Sequence, residues 1–375
     1  MRWSWRIGRL AGIDVYVHAT FPLLLAWIAV SAYQRQQSTA AVVGAVAFIL
    51  AIFAIVVLHE LGHALTARRH GIATRDITLL PIGGVARLER MPREPRQELL
   101  VALAGPAVNV ALAALLYVLL LAIRGAAAST TDALTLDDPV AGGSLLARLI
   151  AVNVWLALFN LIPAFPMDGG RVLRALLAMR SRNYARATET AARVGRFFAL
   201  LFGLIGLFVV GNPFLVFIAL FVWLGAAAEA SAVQTSAMLD GVPLSQVMIT
   251  DVRTLEPGDP LRRAMELTLT GFQQDFPVLE HGAVVGLLTR QQLVRGLAER
   301  GPDAPVGSVM GREFQSVTPD EPVEEALTRL KACACHAMPV VRGRELIGVL
   351  TTENVGEFIM LRAALRGAEA AEIPA

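Results

Sequence analysis

The chain has 375 residues, of which 55% are hydrophobic and 17% are charged, and its mean hydropathy is +0.57. This composition excludes an ordinary soluble domain, and the length allows two or three domains. The formal net charge of +2 comes from 33 basic and 31 acidic residues. Such a balance gives no indication of a nucleic-acid partner. We therefore expect a membrane protein that does not bind nucleic acid.

Six segments have the length and apolarity of membrane-spanning helices, which need about 20 residues to cross the hydrocarbon layer. No removed signal peptide is expected ahead of them, because the N-terminal stretch lacks a small-residue cleavage site after a short apolar core. The sequence therefore predicts a polytopic α-helical membrane domain. Its predicted spans are residues 18–35, 41–67, 99–123, 145–165, 194–210 and 213–232.

The arginines indicate the orientation of these spans, because cytoplasmic loops of membrane proteins carry an excess of Lys and Arg. Arginines cluster before the first predicted span, between the second and third, and between the fourth and fifth, whereas the alternate connections carry few. This pattern predicts six spans with both termini in the cytoplasm. The clustered residues are Arg2, Arg6 and Arg9, then Arg68, Arg69, Arg75, Arg87, Arg90, Arg93 and Arg96, and then Arg171, Arg174, Arg180, Arg182, Arg186, Arg193 and Arg196.

The second predicted span contains HELGH at residues 59 to 63. Positions i and i+4 of a helix lie on one face, so His59 and His63 can present two imidazoles to one metal ion. Glu60 stands beside the first histidine, where it can accept a proton from a water molecule on the metal, as in H-E-x-x-H zinc peptidases. The alternative is a chance match. Ionisable groups inside a spanning helix are costly and occur mainly at functional sites, which favours the metal site.

A catalytic zinc site uses three protein ligands and keeps an open position for water. The candidate for the third ligand is Asp168, in FNLIPAFPMDGGRVLR at the end of the fourth predicted span. Pro163 and Pro166 interrupt the helix before it, and irregular backbone at membrane depth is tolerated only where protein or water covers it. The alternative is that Asp168 only caps a helix that begins at Gly169.

Residues 241–366 differ in composition from the preceding chain and contain an internal repeat. Each copy has a proline-containing turn, an amphipathic helix, a strand ending in Pro-Val, a hairpin and a Gly-x-x-Thr segment that leads into another helix. The pattern resembles a tandem pair of CBS domains and implies a cytoplasmic α+β unit. Cys333 and Cys335 match neither a disulfide framework nor a zinc-ribbon spacing. A metal or redox role together with His336 is the alternative to ordinary small residues in a folded domain.

HELGH, together with the N-x-x-P-x-x-P-x-D-G motif that starts at Asn160, resembles the site-2 protease family of intramembrane zinc metalloproteases. The resemblance is to the branch with six helices and a C-terminal CBS pair. It implies that His59, His63 and Asp168 bind one zinc ion and that Glu60 is the catalytic glutamate. It also implies that Asn160 holds the substrate backbone or the developing oxyanion. The alternative for Asn160 is a polar helix residue bonded to a neighbouring carbonyl.

Three further segments resemble parts of the same family. GIDVYVHATF at residues 12–21 and AGPAVN at residues 104–109 resemble the segments that open the first and third spans. LLPIGGVARLER at residues 79–90 resembles a hairpin that dips toward the active site. Such a hairpin can bind an unwound substrate by adding a strand to its edge. The alternative is that these glycines only permit close helix packing or a turn.

The resemblance implies an integral protein of a prokaryotic cell membrane that cleaves peptide bonds within or near transmembrane segments. A single-span membrane protein would be its substrate, the lipid bilayer its surroundings, and a second copy a partner through the CBS domains. The alternatives are a CBS-gated divalent-metal transporter or channel and a non-proteolytic scaffold. Neither explains Glu60 beside a three-ligand site. The expected domains are the protease domain at residues 1–238 and CBS domains at residues 243–300 and 306–365.

CBS pairs often bind adenine nucleotides through a Gly-x-x-Thr/Ser-x-x-Asp segment, whose carboxylate holds the ribose. Here the segments GLLTRQQ and GVLTTEN retain Thr289 and Thr351 but hold Gln292 and Asn354 at the aspartate positions. An amide loses the charge-assisted hydrogen bond, which is roughly twice as strong as a neutral one. We therefore expect weak adenine-nucleotide binding or none, and a role for the pair in dimerisation or substrate gating.

Overall fold

A computed structural model describes residues 3–81, 83–89, 92, 94–124, 145–271, 273–333 and 335–371. The chain divides into two compact units, Met1–Ser231 and Ala232–Ala375. Each unit has its own four-stranded sheet and its own buried apolar clusters.

Helices form at all six positions where the sequence predicts membrane spans. Four of them are long and apolar enough to cross a membrane: Thr39–Arg69, Pro95–Ile123, Tyr184–Val209 and Pro213–Leu239. The helices at the first and fourth predicted spans are shorter, with 17 and 16 residues. Within the described residues the helices are α1 (Thr20–Gln36), α2 (Thr39–Arg69), α3 (Pro95–Arg124), α4 (Leu145–Asn160), α5 (Asp168–Ser181), α6 (Tyr184–Leu204, continued by a π-helical turn at Ile205–Val209) and α7 (Pro213–Leu239).

Among the helix boundaries that differ from the sequence prediction, two have a clear physical reason. α4 ends at Asn160, so the last five residues of the predicted fourth span are not helical. Pro163 and the cis bond between Phe165 and Pro166 lie in this connection, and proline supplies no amide hydrogen to a helix. α6 begins at Tyr184 rather than at residue 194. Its first turns are amphipathic and charged, so a search for apolar runs does not detect them.

The first unit contains a small sheet with the strand order β1-β2-β3-β4. β2 and β3 are parallel, whereas the two outer pairs are antiparallel, and β4 therefore lies at an edge. The segment that resembles the opening of the first span is largely strand β2, whose residues are alternately buried and partly exposed. This alternation is the period of two that a strand requires. The strands are β1 (Ser4–Leu10), β2 (Ile13–His18), β3 (Thr74–Leu80) and β4 (Gly83–Leu88).

Apolar side chains join this sheet to the helices that follow and flank it. Val15 and Val17 from β2 and Leu79 from β3 are buried in one cluster with Phe21 of α1 and Phe53 of α2. The two phenylalanine rings meet edge to face with centroids 4.5 Å apart, a favoured aromatic geometry. The cluster fixes the sheet against the same helix that carries HELGH.

The second unit contains the repeated segments. Its sheet has the order β5-β6-β8-β7, and the Pro-Val pair lies inside β5 and inside β7 rather than at their ends. Cys333 and Cys335 form a disulfide, which the sequence interpretation did not anticipate. The elements are α8 (Leu261–Thr270), β5 (Phe276–Glu280), β6 (Ala283–Leu288) and α9 (Arg290–Arg300) in the first copy, and α10 (Val323–Ala332), β7 (Ala337–Arg342), β8 (Glu345–Thr351) and α11 (Thr352–Ala371) in the second.

Candidate active site

Two histidines of α2 form one side of a buried polar cluster. His59 and His63 are one helical turn apart, and their Nε2 atoms are separated by 3.1 Å. Both side chains are buried, with about 7% and 6% of their surface exposed. The His63 ring is oriented by a contact of 2.7 Å between its Nδ1 and the carbonyl oxygen of Val101 in α3. An Nδ1–H donated to that carbonyl leaves Nε2 free as a lone-pair donor toward a metal.

Asp168 approaches these histidines from α5. Its Oδ2 atom lies 3.3 Å from Nε2 of His59 and 3.2 Å from Nε2 of His63. Asp168 is the first residue of α5, and Met167 occupies the N-cap position, so the interpretation of Asp168 as a mere cap before Gly169 is wrong. A Cβ on Gly169 would lie 2.3 Å from the carbonyl oxygens of Leu161 and Ile162, and glycine is therefore required at the start of this helix.

The three ligand atoms fit a single metal ion. Their separations of 3.1 to 3.3 Å match the roughly 3.3 Å expected between ligands of a tetrahedral zinc ion with bonds of about 2.0–2.1 Å. Asp168 Oδ2 is buried and has no hydrogen-bond partner among the described residues, although both imidazole nitrogens are close. The three atoms are thus better placed to donate lone pairs to one metal ion than to form hydrogen bonds with one another. His59, His63 and Asp168 could hold one metal ion.

Glycine at two positions lets α3 pack closely against the histidine face of α2. A Cβ on Gly105 would lie 2.2 Å from Nε2 of His63 and 2.7 Å from Cε1 of His59. On the other helix, a Cβ on Gly62 would lie 2.8 Å from the carbonyl oxygen of Ala104. Both positions therefore exclude any side chain. The segment AGPAVN identified in the sequence places Gly105 directly against the candidate metal ligands.

Glu60 is held by the hairpin of β3 and β4. The backbone N–H of Ala86 in β4 donates to its Oε2 at 3.2 Å. A Cβ on Gly84 would lie 3.0 Å from Cγ of Glu60 and 2.8 Å from a methyl group of Val56. The hairpin that the sequence indicates is thus present, and its second strand lies against the glutamate. Glu60 belongs to the same helix as both histidines and sits beside the metal-ligand group without being part of it.

Asn160 is the last residue of α4 and is half-buried. It stands at the head of the irregular connection that leads to Asp168. The structure therefore puts it on the chain segment that enters the site. Its contact with a substrate or an oxyanion stays a prediction.

Arg174 is the charged residue near the site that sequence reasoning did not single out. It is fully buried, and its Nε and Nη1 atoms donate to Glu98 at 2.7 Å and to Glu229 at 2.5 Å. Its guanidinium carbon also lies 5.0 Å from the ring centres of Phe165 and Tyr184, within the range of a cation–π contact. Arg174 thereby joins α5, the helix that begins with the third candidate ligand, to α3, α6 and α7.

The partners of Arg174 keep its guanidinium group positively charged. Burial alone would lower the pKa of the Arg174 guanidinium, but the charges of Glu98 and Glu229 and the hydrogen bond to Glu98 act with Tyr184 to outweigh burial and raise this pKa. The guanidinium therefore remains a cation inside the protein. Arg171 and Arg180 lie on the same helix, so the sequence did not distinguish Arg174 from its neighbouring arginines.

A buried His-His-Asp group with an adjacent glutamate, on a helix apolar enough to span a membrane, defines a metallopeptidase type of site. Residues 47–202 match the profile of Peptidase family M50, and residues 244–299 and 306–360 match that of the CBS domain. Zinc metalloprotease MJ0392 of Methanocaldococcus jannaschii is 34% identical over 288 residues, which cover 77% of this chain and 78% of that protein. Rip3 of Mycobacterium tuberculosis is 29% identical over 96% of this chain and 93% of its own.

The solved structure of the site-2 protease from Methanocaldococcus jannaschii is 35% identical in sequence, covers 61% of this chain and 95% of its own, and superposes with a TM-score of 0.43. The extended similarity to MJ0392 decides the assignment. The chain belongs to peptidase family M50, the site-2 protease family of zinc metalloproteases, and it carries two CBS domains. The predicted resemblance is confirmed, and the alternative of a metal transporter gains no support from these relatives.

Proposed function

We propose that this chain is an intramembrane zinc endopeptidase that cleaves membrane proteins within or near their transmembrane segments, and that its CBS pair is a regulatory or dimerisation module. The observation that carries the proposal is the triangle of His59, His63 and Asp168, with Glu60 adjacent, on a helix long enough to span a membrane. A protease that cuts a peptide bond inside the bilayer needs its metal ligands and its general base within a membrane-spanning segment.

The side chains take distinct roles in this proposal. His59, His63 and Asp168 bind the zinc ion, which when bound polarises a carbonyl group and lowers the pKa of water. Glu60 accepts a proton from the attacking water and passes it to the leaving amine. The N–H of Ala86 keeps the Glu60 carboxylate oriented between these two transfers. Asn160 holds the substrate backbone or the oxyanion.

The edge of β4 is the proposed place for the substrate backbone. β4 pairs with β3 on one side only, and an edge strand presents N–H and C=O groups that no other strand pairs, although here Glu60 already accepts from the Ala86 N–H. An unwound segment of a single-span protein can pair with this edge by strand addition. The carboxylate of Glu60 lies against the same strand, so a peptide bond bound there is brought to the base.

We further infer six membrane spans with both termini in the cytoplasm. Helices α1 and α4 have 17 and 16 residues, which makes each about 25 Å long at 1.5 Å per residue and close to the thickness of the hydrocarbon layer. Together with the four longer helices they make an even number, consistent with the arginine-rich connections. On this layout the protease domain occupies residues 1–238, and the CBS domains occupy residues 243–300 and 306–365.

The CBS pair is proposed to act mainly in dimerisation or substrate gating, with weak adenine-nucleotide binding or none. Gln292 accepts a hydrogen bond from the backbone N–H of Thr289 at 2.9 Å, and the Thr289 hydroxyl accepts one from the N–H of Gln292 at 3.3 Å. Asn354 donates to the carbonyl oxygen of Val247. Both amides at the aspartate positions are thus engaged within the chain. Submicromolar affinity for ATP or AMP in calorimetric titration of the full-length protein would contradict this inference.

The test of the proteolytic function compares the wild type with Glu60→Gln. Purified protein in detergent is incubated with candidate single-span substrates, and cuts are mapped by mass spectrometry. The variant should keep its zinc, because Glu60 is not a ligand, and should lose cleavage by about 10²–10⁴-fold, as expected when a general base is removed. Cleavage at the wild-type rate would refute the role of Glu60. A wild type that carries zinc ions across liposomes but cleaves no substrate would favour transport.

A further inference from the structure

A pocket of about 370 Å³ lies where α3 begins, α5 ends and α6 begins. Two of the helices that are able to cross a membrane start at this pocket, at Pro95 and at Tyr184. On the proposed topology, the pocket lies on the water side of these spans, close to the point where the apolar part of α3 begins. In that topology this side is the cytoplasmic one, because the arginine-rich connections of the chain are placed there.

The walls of the pocket combine two cations with apolar surface. Arg96 and Arg182 line it from different helix ends, and both are exposed. Across the described parts of the chain, neither guanidinium forms an ion pair. Met179 and Tyr184 provide apolar wall, and 37% of the Met179 surface is exposed. Two guanidinium groups without an ion-pair partner among the described residues, next to apolar side chains, suit a ligand with a charged head and an apolar body.

One carboxylate opposes this charge. Glu94 also lines the pocket, and its Oε2 accepts a hydrogen bond of 2.7 Å from the side-chain amide of Gln97. The lining therefore carries two positive charges and one negative charge. The lining therefore suits a ligand of net charge −1. Because the carboxylate of Glu94 opposes the two arginines, replacing it tests whether the bound ligand is an anion.

We propose that this pocket binds the phosphate headgroup of an anionic phospholipid. Guanidinium groups suit phosphate because their planar N–H donors form paired, charge-assisted hydrogen bonds. Basic pockets between membrane helices on the cytoplasmic side are suited to anionic lipid headgroups. A zwitterionic lipid brings its own amine to the arginines and is the weaker ligand. The glycerol and the upper acyl chains lie against Met179 and the exposed side chain of Leu176.

The pocket wall is continuous with the buried cluster around Arg174. Tyr184 lines the pocket, and its ring centre lies 5.0 Å from the guanidinium carbon of Arg174. A bound headgroup therefore stabilises the packing of α5 against α6, in addition to filling the pocket. Binding to the folded state alone raises the unfolding temperature, because ligand binding shifts the folding equilibrium.

The test titrates fluorescent phosphatidylglycerol and, separately, a matched phosphatidylcholine into the purified full-length protein in detergent. Phosphatidylglycerol should bind the wild type more tightly and raise its unfolding temperature. The double variant Arg96→Gln/Arg182→Gln should bind it about 30-fold more weakly, because each arginine near the membrane surface contributes roughly fivefold. Glu94→Gln should bind it more tightly, because the opposing charge is gone.

The matched control is Arg180→Gln/Arg186→Gln, which removes the same charge from two exposed arginines that do not line the pocket. An equal loss of affinity in this control would refute the pocket and indicate general attraction to the basic surface. Displacement of the lipid by millimolar inorganic phosphate would show that free phosphate is the ligand and would overturn the assignment to lipid. If Arg96→Gln/Arg182→Gln does not fold, the lipid affinities of the two single variants and of Glu94→Gln test the proposal instead. Glu60→Gln should bind the lipid like the wild type, so this test is independent of proteolysis.

Discussion

Replacing Gly105 with alanine should abolish zinc binding while leaving the surrounding helices folded. The added methyl group would lie 2.2 Å from Nε2 of His63, and ordinary van der Waals contact begins at 3.4 Å. The ring of His63 would have to move by about 1.2 Å, whereas zinc–ligand distances are held to within about 0.2 Å. His59 is displaced as well, because its Cε1 would be 2.7 Å away. Two of the three candidate ligands are therefore moved by one methyl group.

The expected loss of zinc affinity is at least about 100-fold, since losing one supporting contact around a metal ligand already costs 10–100-fold. Alanine itself favours the helix by up to about 1 kcal/mol over glycine, so a loss of helix is not expected. The measurement is zinc content by mass spectrometry after equilibration in chelator-buffered zinc, together with circular dichroism for helix content.

The control is Gly44→Ala in α2, where an added Cβ meets no atom within 4 Å. It should bind zinc like the wild type. If Gly105→Ala had the same zinc content as Gly44→Ala and the wild type at each free zinc concentration, the close approach of α3 to the histidines would be refuted.

Three further outcomes are expected. Asp168→Ala should lower zinc content at a fixed free zinc concentration, because one of three protein ligands is lost. Arg174→Met should lower the free energy of unfolding in detergent by about 3–5 kcal/mol, because Glu98 is left buried without its partner; the double variant with Glu98→Gln should recover part of this loss. Burial raises the pKa of Asp275 above its usual value, so the folded state holds this proton more tightly than the unfolded state. As the pH rises through that raised pKa, the wild type should lose stability relative to Asp275→Asn in thermal unfolding.

Each of these outcomes has a matched control. Wild-type zinc content in Asp168→Ala would exclude Asp168 as a ligand. Arg180→Met changes an exposed arginine of the same helix and should leave the stability unchanged; a loss equal to that of Arg174→Met would contradict the role of the buried pair. Asp251→Asn removes an exposed carboxylate and should follow the wild type at every pH. A constant difference between the wild type and Asp275→Asn across the pH series would contradict the effect of burial.

The part of the site that could be predicted from sequence is the part built from local geometry. His59 and His63 meet because a helix brings positions i and i+4 together, and Glu60 is placed by the same helix. Asp168 was different, since it lies 105 positions after His63. Prolines and glycines around it indicate an irregular segment, but no local pattern says which helix that segment meets. Asp168 was predicted as the third ligand from this irregular backbone at membrane depth and from the resemblance to a family, not from a spacing relative to the histidines.

The sheet of the first unit shows why other features were missed. β2 is short and runs almost directly into α1, so it was interpreted as the opening of a span. Its alternating pattern was available in IDVYVH, but its parallel partner β3 lies about 60 residues away, and pairing at that distance has no sequence signal. For the same reason the sequence indicated close packing at Gly105 without showing that the metal ligands lie against it, and it gave no role to Arg174. A glycine or an arginine acquires its role from the neighbours that the fold supplies.

The split of the proposed zinc ligands between α2 and α5 has a consequence for synthesis. The ribosome makes His59 and His63 long before it makes Asp168. A chain that is still being inserted into the membrane therefore has a glutamate and two imidazoles but lacks the third ligand. With this ligand set, we expect the nascent protein to be unable to cut the translocation machinery or its own helices. For the same reason we expect chains that terminate before residue 168 to be inactive, which would restrict proteolysis to molecules in which α5 has folded against α2.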